Sequence, residues 1–126
     1  MLMDGAALNS ARVLLVEDNF LILMELEATL REAGAKVVGS CTTLESALLL
    51  ANDGDIDAAL LDVRLGQETI APVAHCLARR GIPFGFYTAQ TEADPSFAEW
   101  PEAMLLEKPA SPKAIVAALA RMLRPR

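Results

Sequence analysis

The sequence predicts a doubly wound α/β sheet, and three observations carry that expectation. Five short apolar runs of strand length alternate with amphipathic helical patterns along the chain. Two of these runs, RVLLV and AALL, are apolar without alternation, as parallel strands covered on both faces are. No internal repeat, low-complexity tract or Pro/Gly/Ser linker interrupts the pattern, and 126 residues suit one domain.

Residues 1–11 read as a loose polar lead-in and residues 12–124 as the domain. The first strand is expected over Arg12–Val16. Phe20, Leu23, Leu26, Leu30 and Ala33 then keep one face apolar, which predicts a helix closed by Gly34. Lys36–Cys41 is the second strand. Leu44, Ala47, Leu48 and Ala51 fall at i, i+3, i+4 and i+7, behind Thr42 and Glu45 at capping-box spacing. Ala58–Leu61 is the third strand, and Ile70, Val73, Ala74 and Leu77 mark the next helix, ended by Gly81. The fourth strand is Phe84–Thr88. Gln90 to Trp100 contains Pro95 and precedes Pro101, which predicts a short helix or mobile loop. Ala103–Leu106 is the fifth strand. Ile115, Ala118, Leu119 and Met122 line the last helix, with Ser111 as N-cap and Pro112 at its first position.

Composition narrows the function classes. The chain carries 17 acids against 11 bases, a net charge of −6, so it has no basic surplus to neutralise nucleic-acid phosphates. No apolar run approaches the roughly 20 residues that span a bilayer. The start, MLMDGAALNSARVLLVEDN, lacks the basic segment of a signal peptide. Cys41 and Cys76 are too few for a disulfide scaffold and form no CxxC, which points to a reduced, cytoplasmic compartment.

In a doubly wound sheet the ligand crevice lies beyond the carboxyl ends of the strands. The first strand ends in Glu17, Asp18 and Asn19, the third in Asp62, the fourth in Thr88, and the fifth in Lys108 and Pro109. Each has a structural reading when taken singly. Acids and Asn19 suit a helix start, Asp62 a turn, Thr88 a strand and Lys108 the surface. Together they make a site. Carboxylates about 5 Å apart repel by about 3 kcal/mol per pair at an effective dielectric near 20, so the cluster wants a cation. Oxygen ligands without Cys or His favour Mg²⁺ over zinc. Lys108 would add a point charge and Thr88 a hydroxyl toward phosphate oxygens, and a carboxylate is a competent phosphoryl acceptor. The constellation reads as phosphoryl transfer onto an aspartate.

With VLLVEDN, ALLDVRLG, FYTA and LEKP in place, the sequence resembles the receiver domain of two-component response regulators over roughly residues 12–124. The resemblance implies a CheY-like, flavodoxin-like (βα)5 fold with strand order 2-1-3-4-5. It implies Asp62 as the phosphoacceptor for a histidine kinase, and Mg²⁺ held by Glu17, Asp18, Asp62 and the backbone carbonyl of Arg64. Thr88, Ala89 and Lys108 would meet the phosphoryl group, Arg64 and Gln90 would tune dephosphorylation, and the Lys108–Pro109 peptide would be cis. Such a domain is regulatory, catalysing only its own phosphorylation and dephosphorylation. It would signal to a partner protein or act as a phosphate sink, as a monomer or weak homodimer in the cytoplasm.

LDVRLG followed by RRGIPFGFYTAQ also resembles a branch of alphaproteobacterial single-domain receivers with a Phe-x-Phe-Ala-Thr-Gly signature, which work with HWE or HisKA_2 kinases. Phe84, Phe86 and Thr88 match. Tyr87 replaces Ala, and Ala89-Gln90 replaces Gly-Tyr or Gly-Gly. Leu105 stands where most receivers carry a switch aromatic, and Tyr87 should point to the face opposite Thr88. The irregular segment from Gln90 to Trp100 is then the expected mobile element. Met1 and the lead-in suggest a stand-alone protein; a receiver excised from a hybrid kinase is the alternative.

Other readings and residues weigh less. A haloacid-dehalogenase-like hydrolase would carry an acid two residues after its nucleophile, where this chain has Arg64. A nucleotide-binding module would show GxGxxG or a P-loop, and neither is present. A receiver that only binds partners would not need the intact acceptor set. His75 reads as a solvated helix residue with no acid to orient it. The cysteines read as small apolar residues, Arg79-Arg80 as a cationic helix end, and Phe97, Trp100 and Pro101 as core packing.

Overall fold

In the computed structural model, residues 7–89 and 95–124 are described. Strands β1 (Arg12–Val16), β2 (Lys36–Cys41) and β3 (Ala58–Leu61) form where the apolar runs predict them. A two-residue pair, β4 (Arg64–Leu65) and β5 (Glu68–Thr69), forms a small antiparallel hairpin that the sequence reading did not include. Strands β6 (Phe84–Thr88) and β7 (Met104–Glu107) complete the set. The main sheet has the order β2-β1-β3-β6-β7 with every pairing parallel. Counting its five strands alone, that is the expected 2-1-3-4-5. The hairpin escapes sequence patterning because two residues per strand carry no period. Its turn is marked only by Gly66, whose φ of +61° suits glycine.

Each central strand alternates its side chains between two cores. Leu14, Val16, Ala59, Leu61, Phe84 and Phe86 face one, and Val13, Leu15, Ala58, Leu60 and Tyr87 the other. On the first face pack α2 (Leu44–Asp53), α3 (Ala71–Arg79) and α4 (Pro95–Glu99), the last through half-buried Phe97 and the adjacent buried Trp100. On the second pack α1 (Phe20–Glu32) and α5 (Pro112–Met122), through Leu23, Leu26 and Leu30 and through Ile115 and Leu119. Unbroken burial of β1 and β3 is the physical reason for their continuous apolarity.

Several expectations are corrected in detail. The N-cap of α2 is Thr43, not Thr42, and its Oγ1 accepts the Ser46 N–H at 3.2 Å. The cap must directly precede the first helical residue, Leu44, which puts Ser46 rather than Glu45 three residues on. Phe20 is 67% exposed, while Leu23 in the same turn packs in the second core, so the buried face of α1 begins at Leu23. The fifth strand begins one residue later than expected, at Met104, so Glu107 pairs with Thr88. The lead-in is also not loose throughout. Leu8 is buried in the second core, its N–H donates to Ala33 O at 2.9 Å, and Asn9 and Ser10 turn with positive φ.

Arg80 donates from Nη1 to Ala51 O (2.7 Å) and from Nη2 to Gly54 O (2.8 Å). The guanidinium thus caps the carboxyl end of α2, a more specific role than the cationic end of its own helix. Among the described residues, no helix is long and apolar enough to cross a membrane.

Candidate functional site

The parallel register brings the chemistry to one sheet edge. The Asp62 N–H donates to Val16 O (2.9 Å), Glu17 N–H to Cys41 O (2.9 Å) and Lys108 N–H to Thr88 O (2.9 Å). These three bonds stitch the polar ends of β1, β3, β6 and β7 to their neighbours. Glu17, Asp62 and Thr88 are buried, at 1%, 8% and 2% exposure. Asp18 is exposed at the rim.

Glu17, Asp18 and Asp62 each place a carboxylate oxygen within 4.8 Å of the others. Lys108 Nζ enters this group, 2.6 Å from Glu17 Oε1 and 2.9 Å from Asp62 Oδ2. The other carboxylate oxygen of Glu17, Oε2, accepts the Asn19 N–H at 3.0 Å, while Oε1 is sealed from solvent and faces the Lys108 ammonium. Burial pushes the Glu17 carboxyl above its usual range, with the Asp62 charge adding to the rise and Lys108 and the Asn19 amide opposing it. For Lys108, burial alone would lower the pKa, but hydrogen bonds and charge from Glu17 and Asp62 outweigh it and the net shift is upward.

The donor set fits a hard divalent cation. It is all oxygen, and its carboxylates converge from the ends of β1 and β3. Asp18 Oδ2 accepts the Gly66 N–H at 2.9 Å. Asn19 has a structural role as the N-cap of α1, its Oδ1 accepting the Ile22 N–H at 3.1 Å.

The remaining candidate positions fall around this cluster. Arg64 opens the hairpin two residues past Asp62, and its N–H lies 3.4 Å from Asp62 Oδ1. Ala89 is exposed just after Thr88. Gln90 lies outside the described residues. The Lys108–Pro109 peptide is cis. Leu105, at the position without a switch aromatic, is 44% exposed on β7. Tyr87 lies in the core opposite Phe84 and Phe86, as alternation predicts.

Three contacts escaped the sequence reading. Gly66 reaches Asp18 across 48 residues, Tyr87 Oη accepts the Ala110 N–H (3.2 Å), and His75 Nε2 pairs with Glu99 Oε2 (3.0 Å). The last corrects the expectation that no acid orients His75. The docking of α4, with Trp100 edge-on to His75 at 4.8 Å, brings Glu99 there. A Gly two residues beyond the strand-end arginine was the available signal for the first contact. The others join segments that share no local pattern.

No protein-family model matches the chain. It is similar to SdrG from Sphingomonas melonis Fr1, at 40% identity and a TM-score of 0.77, over 90% of this chain and 97% of that one. It is similar also to the non-phosphorylated HemR receiver domain from Leptospira biflexa, at 27% identity and a TM-score of 0.78, over 92% and 98%. The transcriptional regulatory protein PdtaR of Mycobacterium tuberculosis is 32% identical over 92 residues, which are 72% of this chain. The matched stretch is only 45% of PdtaR, so the chain spans about half the length of that relative.

Proposed function

Because the chain belongs to the response regulator receiver family of CheY-like domains, we propose that Asp62 accepts a phosphoryl group from the phosphohistidine of a histidine kinase. Receiver domains are regulatory rather than classical enzymes. The observation that carries the proposal is the Lys108 ammonium, held between Glu17 and Asp62 at the carboxyl ends of the parallel strands. The domain that performs this is residues 12–124.

In the proposed step an Asp62 carboxylate oxygen attacks phosphorus. The new O–P bond forms as the P–N bond of phosphohistidine breaks, and imidazole leaves with the electron pair and takes a proton from water. Glu17, Asp18, Asp62 and the Arg64 carbonyl would hold Mg²⁺, which supplies neutralisation of the carboxylates and coordination of phosphoryl oxygens. Lys108 already points at Asp62 and contributes positive charge to the transferred group. The Thr88 hydroxyl would donate to the same oxygens, and the small side chain of Ala89 leaves their approach open. Arg64 and Gln90 set the lifetime of the phosphoaspartate. Phe84, Phe86 and Thr88 support an HWE or HisKA_2 kinase as the donor, and the signal passes to a partner protein in the cytoplasm.

Incubation with acetyl phosphate and Mg²⁺ tests this reading by intact mass. Wild type should gain one phosphoryl group, and Asp62→Asn none. No gain in wild type, or an undiminished gain in Asp62→Asn, refutes it. Phosphate release from many unrelated monoesters would instead favour the hydrolase.

A further inference from the structure

Tyr87 takes no part in the proposed chemistry, yet it meets the loop that carries Lys108 at two points. Its ring is 6% exposed and packs in the α1/α5 core. From there Oη accepts the Ala110 N–H at 3.2 Å, and the ring centroid lies 5.6 Å from Lys108 Nζ. An ammonium at that distance is attracted to a ring face, more strongly where water is excluded. The strand partners reinforce the grip. Tyr87 pairs with Leu106 and Thr88 with Glu107, and the Lys108 N–H bonds the Thr88 carbonyl. Strand β6 therefore holds the loop at residues 108 and 110, on either side of Pro109.

A lysine has a long flexible stem, and pinning its ammonium to one place costs rotamer freedom. Lys108 Nζ must nonetheless sit 2.6 Å from Glu17 and 2.9 Å from Asp62. A loop tied to β6 and a ring beside the ammonium remove alternative placements before any ligand arrives. The same strand carries Thr88, so the two groups that would meet the phosphoryl oxygens share one mechanical support. This is separate from the missing switch aromatic, since Leu105 occupies that position on β7.

We infer that Tyr87 is a positioning residue of the phosphoryl-transfer site, holding the Lys108–Ala110 loop so that the Lys108 ammonium stays between Glu17 and Asp62. This rests on the reading of Asp62 as acceptor.

Tyr87→Phe keeps the ring and removes the Oη acceptor; Tyr87→Leu removes both. The rate of phosphoryl gain from acetyl phosphate with Mg²⁺ is followed by intact mass, at a temperature where all variants are folded by circular dichroism. One neutral hydrogen bond corresponds to a loss of about two- to tenfold for Tyr87→Phe, with a larger loss for Tyr87→Leu. In a Lys108→Met background, Tyr87→Phe should add no further loss, because its effect runs through Lys108. A residue that merely supports the core would lower both backgrounds by the same factor, and that result overturns the inference. Proton NMR gives an independent readout: Lys108 methylene resonances, shifted by the aromatic ring, should move toward ordinary lysine values in Tyr87→Phe, which keeps the ring but releases the loop. Unchanged resonances also overturn it. If wild type takes up no phosphoryl group, the acceptor reading fails and the Lys108 resonances alone decide whether Tyr87 positions the ammonium.

Discussion

Asp18→Asn should raise stability without metal and lower it, relative to wild type, with Mg²⁺. The three carboxylates place ligand oxygens within 4.8 Å of one another. At that separation two unit charges repel by about 0.9 kcal/mol in bulk water and about 3.5 kcal/mol at an effective dielectric of 20. Asp18 is exposed, so the aqueous end of that range applies, and salt screens it further. Its repulsion from Glu17 and Asp62 together then amounts to about 1 kcal/mol. Asparagine keeps an oxygen for the Gly66 N–H, so the hairpin contact survives the change. In EDTA the variant should melt about 4 °C above wild type. Mg²⁺ at ten times its dissociation constant adds about 1.4 kcal/mol to a protein that binds it only when folded. Wild type should gain that increment and the variant little of it, so the order of the two melting temperatures reverses. Thermal denaturation by circular dichroism in EDTA and across a Mg²⁺ titration reads both effects. A variant no more stable than wild type in EDTA refutes the repulsion; one that gains as much from Mg²⁺ as wild type refutes Asp18 as a ligand.

Two further outcomes follow from contacts away from the site. Asp57 accepts the Arg12 N–H at 2.8 Å and the Arg12 guanidinium at 3.3 Å, which holds its carboxyl below the usual range. A depressed pKa stabilises the fold above the unfolded value near 3.9 and loses that contribution as pH falls through the folded value. Asp57→Asn should therefore lower the melting temperature slightly at pH 7, the pair being partly open to solvent, and the deficit should close below pH 4; a deficit independent of pH counts against the pairing. Arg80→Ala should cost about 1–2 kcal/mol by removing two charged bonds to the end of α2, seen as a lower urea midpoint at constant m-value. Arg80→Lys should recover less than half, because a single ammonium does not span both carbonyls in a fixed fork; full recovery would show that charge alone matters.

Much of the fold was legible because its signals are local. The bounds of β1, β2, β3 and β6 coincide with the predicted runs, since a strand buried on both faces must be apolar at successive positions. Ser111 and Asn19 precede their helices and cap them, as residue type and place indicate. Candidate site residues were legible for a related reason: polar groups directly after buried strands all emerge at one sheet edge. Where reading failed, the deciding partner lay elsewhere in the chain. Phe20 keeps helical spacing yet stays exposed while Leu23 packs, and His75 gains Glu99 where α4 docks against α3.

The sequence by itself determined the class of sheet, the alternation of two cores and which residues reach its carboxyl edge. Those follow from residue type at spacings of two to four, a range over which the chain's own geometry dictates direction. Only the tertiary structure decided that Lys108 sits between Glu17 and Asp62, that Gly66 restrains Asp18, and that Tyr87 ties the Lys108 loop to β6. These contacts join residues 23 to 91 positions apart. Their distances depend on strand register and on close packing of the whole domain, which no local pattern records.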